Sequence, residues 1–288
     1  MTYDAPEDNT YLLDAGSPAE MARLIDQDRI LTKSMGGPLV GLPDPSTFNT
    51  VLDLGCGPGG WILDVAFAYP HLEVAGVDIS QIMINYANAR ARSQYLSNAS
   101  FGIMDITKPL DFADNSFSLV NARCLSAVLR RDAWPAFIAE CYRILHPGGT
   151  LRLTELVDIG ITNSPSYERI ADLWYLASWK AGYGFSSDGR NLGISHMLPS
   201  LLRNIKMQNI QYKAHVLEIS TNTEAWPEFY YNAEVGGQQV RPFLVKTGLI
   251  TQMDLELLYQ QAIIEILSEN FCGMWHHMSA WGNKPMDQ

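Results

Sequence analysis

The chain has 288 residues, 47% hydrophobic and 18% charged, which is enough for one large domain or one domain with a sizeable insertion. Its 31 acidic residues against 20 basic ones give a formal charge of −11, arguing against a nucleic-acid backbone or an anionic membrane surface as partner. Cys56, Cys124, Cys141 and Cys272 are far apart and form no C-x-x-C pair, so reduced thiols are expected, not a disulfide framework or a zinc knot.

Residues 1–45 read as an N-terminal extension. Its acidic, polar start is unlike a signal peptide, and no apolar run in the chain reaches the roughly 18 residues of a membrane helix, so a cytoplasmic protein is expected. An amphipathic helix is expected over Pro18–Thr32, then a Gly/Pro-rich linker over Gly36–Pro45. From residue 51 short apolar runs alternate with helical patterns. Strands are expected at Val51–Leu54, Leu72–Val77, Ser100–Met104, Ser118–Asn121 and Thr150–Leu156, with helices at Trp61–Ala68, Ser80–Leu96 and Asp132–Leu145. Ser80 and Asp132 have the placement of N-caps, and Pro147-Gly-Gly149 stops the third helix. This is the rhythm of a doubly wound parallel sheet, and it defines a core over residues 46–159.

Residues 160–206 lack strand alternation. Tyr167, Ile170, Ala171, Trp174, Ser178 and Ala181 share one helical face, and a second helix is expected at Leu198–Lys206. This segment is expected to be a helical lid, because the preceding strand ends at the ligand rim of such sheets. Residues 207–288 return to the sheet with strands at Gln208–Ile219 and Phe271–Trp281, and residues 223–268 between them read as a helical insertion, clearest at Gln252–Ser268.

The segment Val51-Leu-Asp-Leu-Gly-Cys-Gly-Pro-Gly-Gly60 joins an apolar strand to a helix through four glycines, a turn that lets a nucleotide approach backbone N–H groups. Gly55, Gly57 and Gly60 fit the dinucleotide spacing G-x-G-x-x-G, while Gly55, Gly57 and Gly59 fit G-x-G-x-G. Asp53 lies two residues before the first glycine, where a carboxylate would repel a pyrophosphate and suit an ammonium group. Asp78 ends the second strand about 20 residues on, within reach of a ribose diol in either case. Asp105 ends the third strand, where it could read a purine amino group. Three carboxylates around one cleft fit S-adenosylmethionine, which carries a sulfonium and an ammonium and no phosphate.

At these residues the chain resembles the class I S-adenosylmethionine-dependent methyltransferases. The resemblance rests on Val51–Gly60, Gly76-Val-Asp-Ile-Ser80, Met104-Asp-Ile106, Asn115-Ser-Phe-Ser-Leu-Val120 and Leu145-His-Pro-Gly-Gly-Thr150, in order over residues 50–157. Tyr11-Leu-Leu-Asp14, Glu20-Met-Ala-Arg-Leu24 and Gln27 look like the segment preceding the domain in a small-molecule branch, of the kind met in secondary metabolism. Ala280-Trp-Gly-Asn-Lys-Pro285 is similar to its terminal strand. The resemblance implies a Rossmann-like seven-stranded sheet with an antiparallel last strand. It also implies that Gly55 and Gly57 contact the cofactor through their backbone, that Asp78 holds the ribose, and that Ile79 and Met83 lie against the adenine. Asp105 and Ile106 would flank the adenine amino group, Ala122 would close the cleft, and Tyr11 and Gln27 would touch the methionine end.

Each residue also has a plainer reading. Asp53 could bond backbone N–H groups of the turn, Asp105 could form an Asx turn, and Asp78 could cap its strand end. Cys56 is expected to fill the turn, and His146 to face solvent. His276 and His277 are adjacent strand residues pointing to opposite faces, so no metal site is expected there. No catalytic residue is fixed by the sequence, and Glu155, Tyr175 and His196 are the candidates for a general base. The expected partner is a small, apolar or ring-bearing methyl acceptor, and association as a homodimer stays open. Two other functions remain open at this point: a non-methylating pericyclic or isomerising enzyme that binds the same cofactor, and an NAD-dependent oxidoreductase.

Overall fold

The computed structural model describes residues 11–13, 16–42 and 44–286; Asp14 of the N-terminal pattern, Pro43 of the linker and residues 1–10 lie outside them. Five strands are parallel: β1 (Thr50–Leu54), β2 (Glu73–Asp78), β3 (Ala99–Ile103), β4 (Phe117–Arg123) and β5 (Leu145–Leu156). Val51, Leu52, Leu54, Leu119, Val120 and Leu151 on the central three are fully buried, as expected of a sheet covered on both faces. Helix α2 (Gly60–Ala68) packs on one face of the sheet with Val51, Leu72 and Leu119. Helix α4 (Trp134–Ile144) packs with Leu52, Leu54 and Val120 on the other. Helix α3 (Gln81–Ser93) links β2 to β3, and the Ser80 side chain accepts from Met83 N as its N-cap.

The strand order is β3-β2-β1-β4-β5-β8-β6, with β7 (Gln208–Glu218) also pairing β8 (Gly273–Asn283). Strand β8 is antiparallel to both β5 and β7. The sheet thus has eight strands among the described residues, one more than expected. The addition, β6 (Ile161–Thr162), follows β5 along the same edge of β8 and is too short to alternate in sequence. The chain reverses between β1 and β4, the switch point at which open α/β sheets bind ligands.

Asp132 is not the cap of α4. That helix begins at Trp134 after Ala133, whose φ −81° and ψ −24° are already helical, and it has no side-chain cap bond. The Gly36–Pro45 segment is tied down where described: Pro38 O accepts from Trp61 Nε1 and Arg152 Nη1.

A helical cap covers the C-terminal ends of the strands. It combines α1 (Pro18–Ser34), α5 (Pro165–Lys180), α7 (Trp226–Lys246) and α8 (Gln252–Ile266). Ile30 and Leu31 of α1, Tyr167 and Ile170 of α5, Phe229 of α7, and Tyr259 and Ile266 of α8 share one apolar cluster with Trp275 of β8. Helix α6 (Leu198–Asn204) takes no part in it. Its Leu198, Leu201 and Leu202 pack with Ile144 and Met207 in the core of the opposite sheet face. The expected lid at 160–206 therefore splits between two places.

Candidate active site

A cavity of about 280 Å3 opens between the strand ends and the cap. Its first lobe is the glycine turn. Gly55 N and Cys56 N both donate to Val77 O at 2.9 Å, which binds the turn to the end of β2. Gly55, Gly57 and Gly59 have φ of +70°, +52° and +77°, conformations that favour glycine. Side chains would also collide at two of them: a Cβ on Gly55 would lie 2.9 Å from Leu125, and one on Gly59 2.8 Å from Phe101. A Cβ on Gly57 would meet only Leu24, at 3.8 Å, so that backbone stays open to the cavity. Cys56 is buried beneath the turn, where it fills space as expected.

Asp78 closes this lobe. Its Oδ2 accepts from Gly57 N at 2.9 Å and its Oδ1 from Ser80 N at 2.8 Å. Burial raises its pKa, and those N–H bonds hold the carboxylate against that pull. Ile79 and Met83 line the wall beside it, Ile79 exposed and Met83 buried. Asp105 and Ile106 also line it. Asp105 forms the Asx turn of the plainer reading: Oδ1 accepts from Thr107 N and Oγ1, and Oδ2 pairs with Lys108 Nζ at 3.1 Å. Burial pushes its pKa up, but the Thr107 and Lys108 contacts win and the pKa is lowered.

Asp53 is 3% exposed and accepts from Asn121 Nδ2 at 2.6 Å. It bonds this side chain of β4, not the N–H groups of the glycine turn. Asn121 in turn accepts from Arg152 Nε at 2.7 Å, so a buried polar chain crosses three strands. Burial raises the Asp53 pKa to about 6 despite the nearby Arg123 cation.

Four expected site residues do not reach the wall. Ala122 is buried inside the sheet, paired with Leu54 and Leu153; Arg123, Cys124 and Leu125 beyond it line the cavity. Glu155 is buried and accepts from Leu125 N at 2.7 Å and Ser126 N at 3.2 Å. It thereby positions the loop that lines the cavity, while burial pushes its pKa to about 7. Tyr175 accepts from Ile159 N through its hydroxyl, and His196 is exposed on a turn before α6. His146 faces solvent. His276 and His277 point apart, His276 to Asp158 at 2.7 Å and His277 stacked on His215. Among the described residues no group of His, Cys, Asp or Glu could hold a metal ion.

Helix α1 brings Arg23, Leu24, Gln27, Asp28 and Leu31 to the cavity at a helical spacing of three to four. Tyr11 joins them, its hydroxyl donating to Glu20 Oε1 at 2.6 Å. Arg23 donates Nε to Glu20 Oε2 at 2.7 Å and Nη1 to Gln27 Oε1 at 2.5 Å. Asp28 accepts from Arg123 Nη2 and covers the first turn of α2, with Oδ2 only 1.9 Å from the position of a Cβ on Gly60. The second lobe is apolar. Trp174, Phe229, Tyr167, Tyr259 and Trp275 form much of it, with Gly236 and Gly237 of α7.

The family model described as a methyltransferase domain matches residues 51–149. Residues 51–149 are thus similar to the methyltransferase domains of that family, and the likeness covers the strands and glycine turn of the donor lobe. A curated relative, methyltransferase pytC of Aspergillus terreus, is 29% identical over 142 residues, covering 49% of this chain and 40% of the relative. The match spans under half the length of that relative. Among solved structures, the cyclase SpnF covers 94% of this chain and 97% of its own at TM-score 0.52 and 18% identity. Geranyl diphosphate C-methyltransferase from Streptomyces coelicolor covers 97% and 89% at TM-score 0.51 and 13% identity. Likenesses at these identities show the fold. In this chain the matched stretch ends at residue 149, before α5, α7 and α8. Arg23, Asp28, Arg123, Cys124 and the α7 and α8 residues of the wall were not anticipated. One signal was present: Glu20, Arg23 and Gln27 fall on one face of a single helix.

Proposed function

We propose that the chain transfers a methyl group from S-adenosylmethionine to a small apolar acceptor by in-line displacement. The observation that carries this reading is one continuous cavity with a carboxylate-rimmed glycine turn at one end and an aromatic chamber at the other. The turn fits the donor: Gly57 leaves its backbone open, and Asp78 is fixed by two N–H bonds with its carboxylate at the cavity wall. The bound donor supplies a methyl group on a cationic sulfonium.

In this reading Asp78 accepts the ribose hydroxyls, Ile79 and Met83 press on the adenine, and Asp105 and Ile106 flank its amino group. Gly55 and Gly57 line the methionine part, with Asp53, Gln27 and Tyr11 around its charged end. The cap excludes water and aligns the acceptor, which supplies much of the rate in a displacement with a good leaving group. No helix among the described residues is long and apolar enough to cross a membrane.

Calorimetry with S-adenosylhomocysteine tests the cofactor, with micromolar binding expected; no binding by the folded protein overturns the reading. Incubation with trideuteromethyl donor and a panel of lipophilic acceptors then reads the transfer as a 17-dalton gain. A changed acceptor with unchanged donor would place the enzyme in the non-methylating class.

A further inference from the structure

Helix α7 carries two adjacent glycines on its cavity side, and they differ in what surrounds them. Each is less favourable than alanine in a helix interior. Gly237 has a reason within the protein: a Cβ there would lie 2.4 Å from Tyr259 Cε2. Gly236 has none. A Cβ there would meet Arg23 Cδ at 3.5 Å and Asn232 Oδ1 at 3.8 Å, ordinary contacts. Gly236 lines the cavity, so the space its side chain would fill is open to a ligand.

The polar atoms around that space are already engaged. Arg23 donates to both Glu20 oxygens and to Gln27 at 2.5–2.7 Å, with longer contacts to Asn232 at 3.4 Å and Tyr11 at 3.5 Å. All five of its N–H groups are therefore directed at protein acceptors, and the fully buried Glu20 balances its charge. Deeper in the chamber the Tyr167 hydroxyl donates to Ile159 O, the Tyr259 hydroxyl to Glu234 O and Trp275 Nε1 to Asp158 O. These aromatic rings thus turn their polar ends to the backbone and leave ring carbon as the inner surface. An anionic group beside Arg23 would have to displace Glu20 from it.

We propose that the apolar lobe binds a neutral, flat, ring-bearing molecule whose body lies over Gly236, and that the missing side chain there sets the size accepted. The lobe's role as acceptor site rests on the methyl-transfer reading above. A glycine kept for a ligand and one kept for the fold respond oppositely to alanine. Gly236→Ala raises Tm by about 2–4 °C, from helix propensity alone, and weakens the ligand. Gly237→Ala lowers Tm.

The probe is N-phenyl-1-naphthylamine, a neutral fluorescent compound, titrated with and without saturating S-adenosylhomocysteine. Its sulfonated relative, 1-anilinonaphthalene-8-sulfonate, serves as the anionic counterpart. Expected are binding of the neutral probe, affinity three- to tenfold lower in Gly236→Ala with S-adenosylhomocysteine affinity within twofold, and loss of probe binding in Gly236→Leu. The sulfonate binds at least tenfold more weakly than the neutral probe. No neutral-probe binding, or unchanged binding in the more stable Gly236→Ala, overturns the size assignment. Equal or tighter sulfonate binding overturns the neutral class. Absence of S-adenosylhomocysteine binding defeats the methyl-donor reading instead, and the probe titration still decides the lobe.

Discussion

The two lobes of the cavity are built in opposite ways. The donor lobe comes largely from the chain between residues 53 and 106, where each wall residue lies at a strand end or within a few positions of one. The acceptor lobe is assembled from α1, α5, α7, α8 and β8, which brings together residues as far apart in sequence as Arg23 and Asn232, 209 positions. Local backbone geometry fixes the first, while packing between distant helices fixes the second. Perturbing single residues of the donor lobe is thus expected to change affinity sharply, and perturbing the cap to change stability and ligand size.

The largest effect is expected at Asp78, which combines a turn-closing role with the proposed ribose contact. Asp78→Ala removes the acceptor for Gly57 N and Ser80 N and, with it, the two hydroxyl contacts proposed for the ribose. S-adenosylhomocysteine affinity should fall about 100-fold, roughly 3 kcal/mol, by calorimetry. A fall below threefold would place the ribose elsewhere and make Asp78 a strand-end cap.

Glu155 gives a comparable effect on stability, visible in its pH dependence. Its pKa is raised from 4.5 to about 7 and that of Asp53 from 3.8 to about 6 by burial. Both hold protons more tightly when folded, so their contribution is complete below about pH 4 and is lost as pH rises through 6 and 7. The Glu155 share is about 3 kcal/mol at 1.36 kcal/mol per pH unit. Glu155→Gln should flatten the decline in denaturation midpoint between pH 4.5 and 7 while retaining the Asp53 part. An unchanged pH profile would show that Glu155 titrates normally.

How much the sequence revealed follows the same division. The strands, the glycine turn, Ser80 as a cap and the acids at three strand ends are local signals, legible from period and spacing. Asp78 stands on the cavity wall as the last residue of β2, and Asp105 stands there two residues beyond the end of β3. Asp53 was legible as an unusual acid but not in its partner, since Asn121 lies 68 residues away. Glu155 read as a possible base because it ends β5. Only the fold shows that the Leu125–Ser126 turn folds back to occupy its carboxylate. Helix α6 read as part of the lid because it follows α5. Its leucines decide otherwise by matching the sheet face beside Ile144, and no local pattern distinguishes those two destinations. The cap was illegible as a unit because each of its helices is amphipathic in the ordinary way.

The seam between lobes tests the division at lower energy. Asp28 of α1 accepts from Arg123 at the end of β4, both side chains being largely buried. Asp28→Ala should cost about 2 kcal/mol in urea unfolding, because the guanidinium loses its charge partner and keeps Thr32. A cost near zero would mean that α1 sits on the sheet through Ile30 and Leu31 alone.

The smallest effect belongs to the same helix, one turn on. Lys33 of α1 pairs with Glu224, but the two side chains are 63% and 81% exposed. Water and salt screen such a pair, and both long side chains lose rotamer freedom in forming it. Lys33→Ala should therefore change stability by under about 0.5 kcal/mol, with no change in S-adenosylhomocysteine affinity. Asp28 and Lys33 differ by five positions on one helix and bond opposite kinds of partner, so the ratio of their costs measures burial. If Lys33→Ala cost as much as Asp28→Ala, α1 would be held by its exposed rim, and the buried seam against Arg123 would be incidental to how the two lobes are joined.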